Sequence, residues 1–202
     1  MNGFEKRALK IKEKIKKTTI ILLSTMEPRN MRISDIAEAA KVSQVTIYKY
    51  FGSKEELINE ALKSFYVTTL EEYEDFMKDP AHTFHDMIEY IMFHKKSDLN
   101  KISGEKLQEL LVQNEEIQEF VTELYKTRTL PLFMQIIERG KERGEINQHL
   151  PASLIIFYLD LFKDKTDAMI QASSMYKDKE KFVEDITTLF FYGVAGKPEK
   201  DF

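Results

Sequence analysis

Cysteine is absent from all 202 residues. That excludes a disulfide framework, a thiolate metal site and a cysteine nucleophile, and it fits a reducing compartment. No apolar run approaches the roughly 18 residues needed to span a bilayer: the longest, Leu154 to Leu159, stops at Asp160. The first 17 residues are charged and contain no apolar core of a secretion signal, so a cytoplasmic location with no membrane partner is expected. A glycine-rich phosphate loop and an HExxH pair are also missing, and the four histidines form no nucleophile–base pattern, so no enzymatic activity and no cofactor are expected. Glycine and proline are scarce, at 7 and 5 residues.

What is present is ordinary for a folded protein: 43% hydrophobic and 32% charged residues, which argues against disorder. The net charge of −4 hides an asymmetry. Residues 1–63 hold 13 Lys and Arg against 8 Asp and Glu, whereas the remaining residues hold 17 against 26. A basic first third on an acidic body suggests an anionic partner at one end. Apolar residues recur at three- and four-residue spacing throughout, so the chain reads as all-α with about nine helices. The first runs from about Phe4 to Met26. Ser34 and Ser43 stand where they can cap a short second and third helix, and Ser53 with Glu56 forms a capping box for a long fourth. Asp79-Pro80 is expected to open the fifth, Asn114 to cap a long seventh kinked at Pro131, and Gly144 to close it. The sixth spans roughly Ser103 to Val112, the eighth Pro151 to about Tyr176 and the ninth Lys179 to Val194.

Residues 33–57, ISDIAEAAKVSQVTIYKYFGSKEEL, carry the strongest signal. Two helices of about two turns are separated only by Lys41-Val42-Ser43, a link that forces a sharp crossing. Ile36, Ala40, Val42, Ile47 and Phe51 supply the apolar wedge, and small Ala37 and Ala40 permit close approach. This is a helix-turn-helix. The outer side of its second helix offers an amide, a hydroxyl, a phenol and an ammonium, from Gln44, Thr46, Tyr48 and Lys49. Such groups suit base edges and phosphates in a major groove; a plain helical hairpin with a polar outer face is the bland alternative.

The segment resembles the DNA-binding signature of TetR-family regulators in Val42-Ser43, Thr46-Ile47-Tyr48, Tyr50-Phe51 and Ser53-Lys54-Glu55-Glu56-Leu57. Val45 departs from a frequent Gly or Ala, and Lys49 with Tyr50 replaces a more usual pairing with His. The resemblance implies residues 1–56 as a three-helix DNA-binding domain and residues 57–202 as a ligand-binding and dimerisation domain. It also implies Tyr48 and Lys54 as phosphate contacts. Gln44, Thr46 and Lys49 become candidates for base reading, and Val45 for a thymine methyl. The Thr46 hydroxyl has a competing use within the first turn of its own helix, and Tyr50 is assigned to packing. The implied function is a repressor released from a palindromic operator by a small, largely apolar effector. A DNA-bound architectural protein of the same fold with no inducer is the alternative.

For the body, aromatic and Met side chains suited to an adaptable cavity are Phe65, Tyr66, Tyr73, Met87, Tyr90, Phe93, Phe120, Tyr125, Phe133 and Met134, each equally suited to plain core. The last two helices are apolar on more than one side, which suggests a four-helix homodimer interface through Ile155, Leu159, Phe162, Ile186, Leu189 and Phe190. A dimer also suits a double-stranded inverted repeat, because one recognition helix reads only a half-site. His82, His85, Asp86 and Glu89 share one side of the fifth helix, but without a clear further ligand they are not assigned to a metal.

Overall fold

A computed structural model describes residues 3–93, 102, 104–163, 165, 168, 172 and 175–192. Among them the secondary structure is helical: α1 (Gly3–Leu23), α2 (Ile33–Ala40), α3 (Gln44–Phe51), α4 (Lys54–Lys78), α5 (Phe84–Phe93), α6 (Gly104–Val112), α7 (Glu115–Leu124), a π-turn (Tyr125–Thr129), α8 (Leu130–Glu142), α9 (Ala152–Lys163) and α10 (Lys179–Tyr192). α7, the π-turn and α8 are contiguous, so the described residues form nine helical rods. None is long and apolar enough to cross a membrane.

The chain divides into two compact units, residues 1–75 with 95–132, and residues 76–94 with 133–202. In the first, Ile15 and Leu23 of α1, Ile36 and Ala40 of α2, Ile47 of α3 and Leu57 of α4 are all fully buried in one cluster. Ile102, Leu110 and Ile117 belong to that cluster too, so α6 and α7 pack with the helix-turn-helix. Polar ties reinforce this packing. Lys106 of α6 pairs with Glu27 after α1, and Asn114 donates to Asn59 of α4 at 2.6 Å. Lys63 and Asn59 of α4 both donate to Glu116, and the Lys63 bond holds that carboxyl below its usual range.

In the second unit, Glu145 accepts from the first amide of α5, Phe84, at 2.6 Å. Arg143 donates to the Pro80 and His82 carbonyls. Gly144 adopts φ +71°, and the Glu145 and Ile146 amides bond back to the Gly140 carbonyl, a left-handed cap that turns the chain sharply. Ile146 then folds onto Gly140, where a Cβ would lie 2.7 Å from its Cδ1.

Three helix features differ from expectation. α2 begins at Ile33, one residue before Ser34, because the Asp35 carboxylate accepts the Arg32 amide at 2.8 Å and caps the first turn. α5 begins at Phe84, not at Pro80. Asp79 instead closes a turn by accepting the Ala81 amide at 2.8 Å. The working cap is reciprocal: Thr83 Oγ1 accepts from the Asp86 amide, while Asp86 accepts from the Thr83 amide and hydroxyl. The kink expected at Pro131 takes the form of the π-turn. Proline has no N–H for the carbonyl four residues earlier, and the backbone shifts register so that the Leu130 amide bonds to the Tyr125 carbonyl. Most of the stretch expected to extend the eighth helix beyond Lys163, and Val194 of the ninth, lie outside the described residues.

Candidate nucleic-acid interface

The recognition helix is positioned by its two ends and by one buried side. Lys41 adopts φ +52°, and its amide and that of Val42 bond to the Glu38 and Ala37 carbonyls. This left-handed cap ends α2 and reverses the chain within three residues. Ser43 then caps α3, its Oγ accepting the Thr46 amide at 3.1 Å. On the inner side Ile47 is fully buried and Phe51 nearly so; each contributes roughly 2 kcal/mol of burial. Tyr50 packs against the same core, as assigned from sequence, and Lys12 Nζ of α1 lies 5.9 Å from its ring centre and 5.5 Å from that of Phe51.

The remaining side carries Gln44, Val45, Tyr48 and Lys49, all exposed. Val45 at 76% and Tyr48 at 51% are unusual for their size, and no core contact accounts for them. An amide, a branched alkyl group, a phenol and an ammonium thus share one solvent-facing arc about two turns long, the size of surface that enters a major groove.

Two sequence-assigned residues sit apart from that arc. Thr46 is half-buried at its margin, and its hydroxyl is 2.8 Å from Ser43 Oγ. The local capping use is therefore the one realised. Lys54, expected at a phosphate, is half-buried, and its ammonium donates to the Pro28 carbonyl at 3.0 Å and the Met31 carbonyl at 3.2 Å. It ties the start of α4 to the loop between α1 and α2. Sequence reasoning missed this tie, because nothing in Ser-Lys-Glu-Glu-Leu marks carbonyls more than twenty residues upstream.

The candidates for an effector site divide between the two units. In the first, Phe65 is buried, and Tyr66, Tyr73, Phe120 and Tyr125 are half-buried. Phe65 meets Tyr66 edge-on at 5.7 Å, and burial raises the Tyr66 phenol's pKa. Arg128, on the π-turn, grips Glu74 of α4 through two hydrogen bonds of 3.0 and 2.8 Å. In the second, Met87 and Tyr90 are buried, Phe133 is half-buried and Met134 is exposed. Phe76 is sandwiched between Tyr90 and His82, each ring centre 3.8 Å away, and Arg139 reaches the Met77 carbonyl and Met87 Sδ. Among the described residues, the buried hydroxyl of Thr187 has no hydrogen-bond partner. The side chains of Phe93 and Phe162 lie outside the described residues. His82 and His85 are committed to ring stacks, on Phe76 and Phe191, and His82 Nδ1 is 2.8 Å from the Phe76 carbonyl.

The interface candidates differ in exposure. Ile155 and Phe190 are buried within the chain, at 9% and 7% exposure, and so are not surface residues. Leu159 and Ile186 are half-buried and Leu189 is exposed. The open apolar face of α9 is instead Leu154, Phe157, Tyr158 and Leu161, at the i, i+3, i+4, i+7 spacing of one helix side.

Residues 18–61 match the family model described as bacterial regulatory proteins, tetR family. No curated protein matches the sequence. Among solved structures, the reduced form of Escherichia coli NemR is similar at TM-score 0.67 and 16% identity, over 93% of this chain and 100% of that one. The fatty acid degradation regulator FadR of Bacillus halodurans gives 0.64 and 18%, over 93% and 97%. FadR of Bacillus subtilis, in complex with stearoyl-CoA, gives 0.61 and 20%, over 90% and 98%. At these identities the structures bear on the fold alone. The matched segment coincides with the buried wedge, the capped recognition helix and its exposed arc, so residues 18–61 are the part of this chain that resembles the tetR family of bacterial regulatory proteins, on a helical fold similar to that of NemR.

Proposed function

We propose that the chain is a repressor that binds a palindromic operator as a homodimer and is released by a small, largely apolar effector. The exposed arc of Gln44, Val45, Tyr48 and Lys49 on a helix otherwise fixed by Ile47, Phe51 and the Ser43 cap carries this reading. Gln44 and Lys49 read base edges, Val45 meets a thymine methyl and Tyr48 meets a phosphate. Residues 1–56 form the reading head, and residues 57–202 sense the effector and dimerise. A long acyl thioester is the effector class to try first, because a protein of this fold is described as a complex with stearoyl-CoA. Within the first unit, half-buried Tyr66, Tyr73, Phe120 and Tyr125 supply the apolar wall with polar tips that such sites use.

The test is selection of bound sequences from random duplex DNA, then titration of the best site with stearoyl-CoA. An enriched inverted repeat that is released by the acyl-CoA supports the whole reading. An inverted repeat unaffected by it removes that effector class but leaves the operator. No enriched repeat overturns the proposal.

A further inference from the structure

On its inner side α1 carries one cation that reaches the recognition helix. Ile11, Ile15, Thr19 and Leu23 run along the side of α1 that packs into the core. Lys12 follows Ile11 and stands three residues before Ile15, so its half-buried stem lies along the same side. The ordinary use of such a lysine is to cover apolar surface with its stem and return the charge to water. Here the ammonium lies 5.9 Å from the ring centre of Tyr50 and 5.5 Å from that of Phe51, within the reach at which an aromatic face holds a cation. Both rings belong to the last turn of α3, where the carbonyl end of a helix also favours positive charge.

The other anchors of α3 are the Ser43 cap on its first turn and the buried Ile47 and Phe51. Eight residues are too few for a helix to hold its own shape, so the setting of α3 follows from what it touches. A turn of about 20° about its axis carries a side-chain tip at about 5 Å radius through about 2 Å. That is more than a hydrogen bond to a base edge tolerates. We propose that Lys12 is a positioning residue for sequence reading: its charge pins the last turn of α3 to α1 and sets the angle at which Gln44, Val45, Tyr48 and Lys49 meet the groove. The proposal rests on the DNA-binding reading above, and in it Lys12 itself meets no DNA. Its loss therefore weakens base contacts, which need fixed geometry, and spares phosphate contacts, which follow charge.

The experiment compares the wild-type chain with Lys12→Met and Lys12→Arg on the selected repeat and on unrelated duplex of equal length. Met keeps the apolar stem without the charge, and Arg keeps a cation that stacks on aromatic faces. For Lys12→Met the ratio of operator to non-operator affinity is expected to fall about tenfold, the equivalent of roughly one lost base contact. Non-operator affinity and the slope of log affinity against log salt should match the wild type, and Lys12→Arg should restore the ratio. A slope flatter by about 0.9 in Lys12→Met makes Lys12 a phosphate ligand and overturns the positioning role. An unchanged ratio, with or without a lower melting temperature, overturns it as well, and so does an Arg variant that discriminates no better than Met. A wild type that enriches no repeat overturns the DNA reading and this role together, a failure visible before either variant is made.

Discussion

Lys54 has two uses open to its ammonium, and a single substitution separates them. At the first position of α4 it stands where backbone N–H groups favour an anion, which is why the sequence motif assigns it to a phosphate. In the structure the charge faces the other way, onto the carbonyls of Pro28 and Met31. Hydrogen bonds from a charged donor are worth about 1.5–3 kcal/mol when their loss strands a buried partner. Lys54→Met is therefore expected to lower unfolding stability by about 1–3 kcal/mol in urea titration. Weaker operator binding with unchanged stability would return Lys54 to the phosphate. Thr46 differs in one respect. Both of its uses are visible in the sequence, because the cap that engages it is three residues away. The partners of Lys54 are 23 and 26 residues distant, and only the folded loop brings them near.

Element boundaries follow the same distinction between local and distant causes. Ser43 and Asn114 cap as expected, each accepting an amide three residues on. The start of α5 does not follow, since Asp79-Pro80 and Thr83-x-x-Asp86 are both reasonable starts and the choice depends on what the first turn docks against. Here Glu145 holds the Phe84 amide, and Arg143 holds the Pro80 and His82 carbonyls in a turn. The Thr83 amide and hydroxyl together depress the Asp86 pKa, with smaller help from His85 and His82. A group depressed on folding gives its full stabilisation above its unfolded pKa and loses it as pH falls through the folded value. Asp86→Asn is accordingly expected to cost about 1 kcal/mol at neutral pH. The gap from wild type should hold down to about pH 5 and close progressively below about pH 4. A gap that is flat across the acid limb would mean that the carboxylate charge contributes nothing to the cap.

At the scale of the whole molecule the question is which side of α9 is open to the second copy that the proposed dimer requires. The helix is apolar almost all round, and Ile155 with Leu159 is as regular a stripe as Leu154 with Phe157, Tyr158 and Leu161. Periodicity marks both sides as apolar; it cannot say which is buried by the chain's own core. Burial separates them: Ile155 is buried and Leu159 half-buried, whereas Leu154, Phe157 and Leu161 stay exposed. Tyr158, at the margin between the two, stacks on Phe190 of α10 at 5.0 Å with its hydroxyl donating to the Phe190 carbonyl. Phe157 is 59% exposed and Leu161 48%, with Leu189 of α10 at 44%. Contiguous apolar surface of this kind marks an association site in a folded protein, and a twofold axis would pair the patch with itself. Phe157→Glu places a charge in the centre of that patch without touching the core. Light scattering should give the wild type about twice the chain mass of 23.8 kDa and the variant the chain mass alone at micromolar concentration. A hot-spot loss of about 2–4 kcal/mol at such a contact corresponds to roughly 30- to 1,000-fold in dimer dissociation. Because half of a palindrome then goes unread, operator affinity should fall with it, while the salt dependence per protomer stays as it was. If the variant remains a dimer, the exposed face of α9 is not the interface, and the second copy must be sought elsewhere on the chain.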